Sequence, residues 1–270
     1  LLTINDIRAT NPTIWNGWKH DLLRSLFFNT RSKLNKEVNL GIEKVVEDKI
    51  KGVLKKLEIN NANIIKRLWS NIDKGYFGRF SSSQLEWQAK SILEKDDDVN
   101  IISLRRNFDS LVEIFIKVSN FDGLFLELVR VFDVLGIEII DADIATTKDK
   151  RIALNTFIAS YKYKSIKLTQ NDVKDLEKKI CNIFNEAKQE VRPKKVKNKN
   201  TFFEKNTKVD DSIDKQKNRN IITIETINNS GLLVKIAKVF REFGASIHSA
   251  KITTLGEKVD CLLYTSPSPR

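Results

Sequence analysis

The stretch EIFIKVSNFDGLFLELVRVFDVLGIEIIDADIATT, residues 113–147, has a second version further along the chain, IITIETINNSGLLVKIAKVFREFGASIHSAKITTL, residues 221–255. The two align without a gap at an offset of 108 residues. That offset places Gly123 on Gly231 and aligns many of the apolar residues that follow. Identical residues recur along the whole 35-residue alignment, which indicates an internal repeat. We call the two stretches copy 1 and copy 2.

The apolar pattern of each copy predicts a strand, a helix and a second strand that runs into a hairpin. In copy 1, Ile114 and Ile116 alternate with other residues, as in a strand with one buried face. After a polar turn the apolar residues recur at helical spacing, and Gly136 stands where a left-handed helix stop is expected. The alternating residues 152–158 add a third strand, so the repeated unit is β-α-β-β.

The residues after copy 1 predict a complete domain, whereas those after copy 2 do not. A helix is expected from Thr169 to about Lys188, and a short strand from Thr201. Copy 1 then completes a β-α-β-β-α-β unit, a ferredoxin-like sandwich with helices on one face of an antiparallel sheet. Copy 2 is expected to be truncated after Asp260, because two prolines among the last six residues do not continue a strand. We interpret residues 261–270 as a non-native tail.

Residues 1–106 are predicted to be helical. Apolar stripes follow helical spacing near residues 10–27, 38–57 and 62–72, and Ser83 with Glu86 predicts a capping box for a fourth helix. An aromatic loop is expected at 76–80. The predicted fold class is therefore α+β, with two ferredoxin-like domains after the helical segment. The predicted boundaries are 1–106, 107–209 with a basic stretch at 188–200, a linker at 210–218, and the truncated domain at 219–260.

The composition excludes several functional classes. The hydrophobic fraction of 41% is ordinary, and the chain has neither an apolar run of the roughly 20 residues that span a membrane nor a secretory signal pattern. We therefore expect no membrane partner and a cytoplasmic location. Two distant cysteines predict no disulfide framework, and two histidines cannot supply a histidine-rich metal site.

The net charge of +12 raises the question of a nucleic-acid partner. Between residues 188 and 220 there are 11 Lys or Arg and 5 Asp or Glu, a difference of 6, which is half of the whole excess. This stretch has no helical stripe and many asparagines. A solvated linker is favoured over a polyanion site, so nucleic-acid binding is an unlikely alternative.

A glycine follows the first strand in both copies, at the start of the helix. Unpaired amides at a helix start, beside a glycine that allows close approach, suit the carboxylate of a small amino acid. The alternative is that Gly123 and Gly231 only make tight turns. Two carboxylates on one strand face, Asp141 and Asp143, are a weaker candidate for metal-dependent chemistry, since copy 2 does not repeat them. The candidate ligand-binding residues are Asn120, Asp122, Gly123, Leu124, Asn228, Ser230, Gly231 and Leu232.

Copy 2 resembles an ACT domain, a small-molecule regulatory module, in IETINNSGLL (224–233) and AKITTLGEKV (250–259). Further segments resemble, in order, the bifunctional uridylyltransferase/uridylyl-removing enzymes. These segments are LLTINDIRAT (1–10), IWNGWK (14–19), QLEW (84–87), DADIATT (141–147) and NTFI (155–158). Enzymes of this family consist of a nucleotidyltransferase domain, an HD phosphohydrolase domain and two ACT domains.

The resemblance implies a function. Residues 1–106 would be the end of the HD region, followed by two ACT domains. The family transfers UMP from UTP to the nitrogen regulatory protein PII and removes it again when glutamine binds. Glutamine and PII are thus the implied partners. The resemblance implies magnesium for the full-length enzyme. Both catalytic centres, and any cofactor, are expected to lie outside this stretch. Asn120 and Asn228 stand where the ACT motif usually has Asp. An ACT region of another amino-acid or alarmone enzyme is the alternative.

Overall fold

The computed structural model describes residues 39–95, 100–107, 111–161, 169–189, 207–214, 219–227, 229, 231–245, 247–255 and 258–265. The described chain divides into two compact units. The first holds the residues up to Trp69 together with Lys74–Trp87, and the second holds Ser70–Asp73 and the residues from Gln88 onward. The helix predicted near residues 10–27, the strand predicted from Thr201 and most of the basic stretch lie outside the described residues.

The first unit is helical, as predicted for this part of the chain. Buried Tyr76 and Phe77 belong to a short helix where the sequence predicted a loop, and their rings meet edge to face at 5.4 Å. Lys49 Nζ donates to the carbonyl oxygens of Phe77 and Phe80 at 3.0 and 2.7 Å, which satisfies the end of this helix. Burial lowers the pKa of Lys49. The helices are α1 Asn39–Leu54, α2 Ile59–Ser70, α3 Lys74–Arg79 and α4 Ser82–Glu94.

The capping box of α4 lies two residues before the predicted one. The Gln84 amide donates to Ser81 Oγ at 3.2 Å, and Gln84 Oε1 accepts from the Ser81 amide at 2.9 Å. Gln serves in place of the predicted Glu because either side chain offers the accepting oxygen. The last turns of α4, from Gln88, belong to the second unit.

The second unit is built on an eight-stranded sheet in which all neighbouring strands are antiparallel. This confirms the α+β class. The strand order is β1-β2-β4-β3-β7-β8-β6-β5. The elements in chain order are β1 Ile101–Arg106, β2 Leu111–Ser119, α5 Leu124–Val134, β3 Ile137–Thr146, β4 Ile152–Tyr161, α6 Gln170–Gln189, β5 Lys208–Asp214, β6 Arg219–Ile227, α7 Leu232–Glu242, β7 Ile247–Leu255 and β8 Lys258–Thr265.

The two copies are joined edge to edge through β3 and β7. In that ladder Asp143 faces Lys251, Ala142 faces Ile252 and Ile144 faces Ala250. Asp143 and Lys251 are 108 residues apart, which is the offset of the repeat, so each faces its own counterpart. A local two-fold axis therefore passes through this pair, and it relates the first half of the sheet, β1 to β4, to the second half, β5 to β8.

Three predictions about the strands were wrong. Residues 101–106 are strand rather than helix and form the edge of the first half beside β2. Residues 208–214 are strand β5 rather than a linker, and they pair with β6 of the second half. The strand expected to end after Asp260 continues to Thr265 and pairs on both sides. The second half therefore has four strands, although the sequence predicted a truncated domain. One of them, β5, comes from the part of the chain that follows α6.

The core lies between the sheet and helices α5, α6 and α7, which share one face. Leu128, Phe132 and Phe157 are almost fully buried there, and the rings of Phe132 and Phe157 meet edge to face at 4.9 Å. Helices α5 and α7 pack against each other across the two-fold axis. Buried apolar side chains from both copies thus form one continuous cluster, whose burial favours the paired arrangement.

The other face of the first half is partly covered by the end of α4, where the Gln88 amide nitrogen donates to Thr156 Oγ1 at 3.1 Å. The outer edge of β1 is capped, since Glu177 Oε2 accepts from the Leu104 amide at 3.0 Å. Among the described residues, no helix is long and apolar enough to cross a membrane.

Candidate functional site

A cavity of about 470 Å³ lies where the turn of copy 1 meets the end of α7 from copy 2. It is within the range of about 300 to 1,000 Å³ that small-ligand pockets occupy. All four candidate residues of copy 1 line it. Its lining consists of Asn120, Phe121, Asp122, Gly123, Leu124, Phe125, Leu126, Ile144, Thr146, Lys150, Ala153, Asn155, Ala237, Phe240, Arg241, Ala245 and Ile247.

Gly123 begins α5 in a left-handed conformation with φ of 88°. Residues with a side chain rarely adopt this conformation, which explains the glycine. A Cβ at this position would lie 3.4 Å from Cδ and from Nε of Arg241. The side chain of Arg241 from copy 2 therefore lies against the turn of copy 1. Gly231 has a similar φ of 70°, but a Cβ there would meet nothing within 4 Å.

The first turn of α5 presents amides to the cavity. The helix has no side-chain cap. The Leu124 amide bonds to the carbonyl of Phe121 at 3.1 Å, and the Glu127 amide to that of Gly123 at 3.1 Å. Phe125 and Leu126 lie between them, and both line the cavity. Such an uncapped helix start carries partial positive charge and suits an anion.

Asn120 holds the turn against the β3–β4 hairpin. Its Nδ2 donates to the carbonyl oxygen of Lys150 at 2.9 Å, and its backbone amide donates to that of Arg151 at 2.7 Å. Lys150 is the one described residue other than glycine with a positive φ, 61°, and it lines the cavity. Asp149, bonded to Thr147 Oγ1 and to the amide of Arg151, shapes the hairpin, and these bonds lower the pKa of its carboxyl.

Arg241 brings a guanidinium from copy 2 to the turn of copy 1. Its Nη1 lies 3.4 Å from Glu127 Oε1, which Arg130 already contacts at 2.9 Å. The contact with Glu127 is therefore long and shared, and the Arg241 side chain is 45% exposed. No pattern in the sequence selects Arg241, because a basic residue in the last turn of a helix is ordinary. Its counterpart in copy 1 is acidic, Asp133.

Asn155 is a second lining residue that the sequence did not single out as a ligand contact. It lies in the middle of β4, between Ile116 and Ile144 of the neighbouring strands, and is 1% exposed. Neither atom of its side-chain amide, Oδ1 or Nδ2, has a hydrogen-bond partner among the described residues. The only hint in the sequence is an asparagine among alternating apolar residues.

The corresponding residues of copy 2 are only partly described. Gly231 and Leu232 begin α7 in the same way as their counterparts begin α5. Asn228 and Ser230 lie outside the described residues. In the part of the chain that the structure describes, the cavity thus combines the turn of copy 1 with the helix end of copy 2.

Asp141 and Asp143 lie on the opposite face of the sheet from the helices, at the junction of the copies. Lys251 Nζ lies 2.7 Å from Asp141 Oδ1 and 3.2 Å from Asp143 Oδ2. Burial by itself lowers the pKa of Lys251, but Asp143 and Asp141 outweigh it and raise that pKa. Burial raises the pKa of Asp141.

These carboxylates do not fit a metal site, because an ammonium occupies the space between them. Among the described residues, no group of three or more His, Cys, Asp or Glu side chains is placed to hold a metal ion. The described residues therefore offer no fitting ligands for the magnesium that the resemblance implies for a full-length enzyme.

No protein-family model matches the chain. Curated proteins named "Bifunctional uridylyltransferase/uridylyl-removing enzyme" do match it. Those of Vibrio campbellii and Vibrio vulnificus are 29% identical over 277 and 281 residues, and that of Psychrobacter cryohalolentis is 25% identical over 288 residues. Each match covers 98% of this chain and 31% of the relative. The chain spans about a third of the length of these relatives. Its resemblance to the bifunctional uridylyltransferase/uridylyl-removing enzymes, first noted in short segments, is confirmed along almost the whole chain.

Proposed function

We propose that this chain is the regulatory, glutamine-sensing C-terminal part of an enzyme that transfers UMP from UTP to PII and hydrolyses it from PII-UMP. The helical unit would be the end of the HD region, and the two halves of the sheet would be its paired ACT domains. The cavity between the turn of copy 1 and α7 of copy 2 carries this proposal. Similarity to the named enzymes over 98% of the chain supports it.

The cavity offers complementary groups for a free amino acid. The uncapped start of α5 and the guanidinium of Arg241 favour the α-carboxylate, since both bring positive charge to the same end of the cavity. Asp122, which also lines it, supplies a negative charge for the α-ammonium that Asn120 lacks. The apolar side chains of Phe121 and Phe240 would enclose the rest of the ligand.

The position of the cavity suggests how binding is transmitted. Its walls come from both copies, so an amino acid that contacts both stabilises one arrangement of the pair over others. Binding energy that differs between two arrangements is what couples a sensor to a distant catalytic domain. In this proposal glutamine shifts the balance between UMP transfer and UMP removal, which both take place outside the described chain.

Calorimetric titration of glutamine into the whole chain tests the sensing site. We expect saturable binding, and Arg241→Ala should weaken it about tenfold, because a charged hydrogen bond contributes about 1.5 to 3 kcal/mol and this one is partly exposed. The matched control is Asp133→Ala at the equivalent position of copy 1, which should bind as the wild type does. Absence of binding at millimolar glutamine would refute the sensing role.

The link to catalysis needs a full-length enzyme that contains this chain. There, Arg241→Ala should leave UMP transfer to PII without glutamine unchanged and move the glutamine response to higher concentration. An unchanged glutamine response would show that the effector acts elsewhere.

A further inference from the structure

Among the described residues that line the cavity, Asn155 is the one whose side-chain amide is buried and has no described partner. Its backbone is held in the ladder between β2 and β3. Ala153 and Phe157, two residues away on either side, belong to the core cluster, so the Asn155 side chain shares the helix-facing side of the sheet. It therefore lies on the inner wall of the cavity, whereas Arg241 and Lys150 are exposed at the surface.

The fold itself does not require an amide at this position. In the register of the sheet, Asn155 faces Ile116 and Ile144, and Cys261 faces Ile224 and Ile252, their counterparts in copy 2. Cys261 is equally buried at 1% exposure and needs no hydrogen-bond partner to be stable there. Buried polar side chains in proteins nearly always have partners, and one without them destabilises the fold. An unpaired amide in one half, where the other half has a thiol, indicates a role in binding.

We propose that Asn155 determines the specificity of this cavity by recognising a carboxamide in the side chain of the ligand. This inference rests on the amino-acid site proposed above. A side-chain amide has an oxygen that accepts and a nitrogen that donates, and a carboxamide is the group that satisfies both at once. A carboxylate offers only acceptors and leaves the Asn155 oxygen unpaired. An apolar side chain leaves both atoms unpaired.

This pairing predicts discrimination between ligands of the same length. Sites that hydrogen-bond a polar group reject analogues without it more strongly than apolar pockets reject extra bulk, because the buried groups of the protein are left unpaired. Glutamine, glutamate and norleucine differ mainly at the end of the side chain. They are therefore suitable probes for what Asn155 contacts.

The test is calorimetric titration of these three amino acids into the whole chain and into Asn155→Leu, which keeps a similar shape without polar atoms. The wild type should bind glutamine at least about tenfold tighter than glutamate or norleucine. Asn155→Leu should lose about 10- to 100-fold in affinity for glutamine and should now prefer norleucine. Cys261→Ala, at the equivalent position of copy 2, should keep the wild-type preference.

Two results would overturn the inference and leave the sensing site intact. One is a wild type that binds glutamine and norleucine equally, and the other is an Asn155→Leu variant that keeps the wild-type ratio of affinities. Absence of binding for all three amino acids would overturn the sensing site and this inference together. Thermal unfolding without ligand checks the fold. The Tm of Asn155→Leu should rise by roughly 2 to 4 °C, since the variant removes an unpaired buried amide. A lower Tm together with an unchanged affinity ratio would assign Asn155 a structural role instead.

Discussion

The two halves of the sheet have the same order of elements, but they differ at positions that the two-fold axis relates. Copy 1 has Asp143 where copy 2 has Lys251, and Asp133 where copy 2 has Arg241. In the register of the strands, Asn155 in the first half corresponds to Cys261 in the second. Residues that define the backbone, such as Gly123 and Gly231, are alike. The repeat therefore keeps its fold and differs in charge and polarity.

These differences make the halves complementary. Two identical copies would place each residue on the axis opposite itself, so an acidic residue there would face another acidic one. Here Asp143 faces Lys251. Likewise the cavity takes its turn and its buried amide from one copy and its guanidinium from the other. Two copies that differ can thus form a site that two identical copies could not form.

The largest expected effect comes from reversing the charge on the axis. Lys251→Asp places a third carboxylate beside Asp141 and Asp143, whose side chains are only 13% and 9% exposed. Breaking a fully buried ion pair costs about 3 to 5 kcal/mol, but Lys251 is 39% exposed and solvent screens part of the loss. We expect the free energy of unfolding to fall by about 2 to 3 kcal/mol. Denaturant unfolding followed by circular dichroism measures it.

The control for this variant restores opposite charges with their positions exchanged. Asp143→Lys combined with Lys251→Asp should recover part of the loss, because the two residues face each other in the ladder. A double variant as unstable as Lys251→Asp alone would contradict a direct interaction across the axis.

Lys251 also predicts a dependence of stability on pH. Its pKa is raised in the folded chain above the usual 10.5, so its contribution is complete below pH 10.5 and is lost as the pH rises through the folded-state pKa. Lys251→Met lacks this contribution. The difference in unfolding free energy between wild type and variant should therefore be constant from pH 8 to about 10 and shrink above that range. A difference that grows with pH would show that Lys251 is not favourably paired.

The paired glycines give the next largest effect. Gly123→Ala and Gly231→Ala each force a side chain into a left-handed conformation, which costs about 1 to 2 kcal/mol. The loss of stability should be similar in both. The two sites differ in their surroundings, since a Cβ at Gly123 would be in van der Waals contact with Arg241 at 3.4 Å and one at Gly231 would meet no described atom within 4 Å.

Glutamine binding separates the two variants. Gly123→Ala should weaken it about three- to tenfold because the strain of a left-handed alanine falls on the turn that lines the cavity. Gly231 does not line this cavity, so Gly231→Ala should bind as tightly as the wild type. Titration of both variants at the same temperature compares their affinities. Equal affinities would mean that the backbone conformation of the Gly123 turn does not contribute to the site.

The sequence predicted what depends on local patterns. The repeat, the β-α-β-β unit and the left-handed Gly136 just after α5 all follow from residues close together in the chain. Arg241 follows Gly123 by 118 residues in the sequence, so local patterns could not predict that the two are neighbours. The pairing of β3 with β7 brings them together. The end predicted after Asp260 was wrong because the prolines, at 267 and 269, lie beyond Thr265, where β8 ends.

The smallest expected effect is chemical and concerns Cys261, which stands where the first half has Asn155. Burial, and secondarily Asp260, raises the pKa of Cys261 to about 12. At pH 8 only about one Cys261 side chain in ten thousand would be a thiolate, and β8 is paired on both sides.

A Cys181→Ser variant leaves Cys261 as the single thiol. A disulfide reagent at pH 8 should label this variant at the rate of unfolding when the chain is native, and at once when the chain is in denaturant. The wild type should show a faster thiol in addition, because Cys181 is partly exposed. Rapid labelling of the variant in its native state would mean that β8 is not stably paired with β6 and β7, and the second half would then lack the strand that makes Cys261 the counterpart of Asn155.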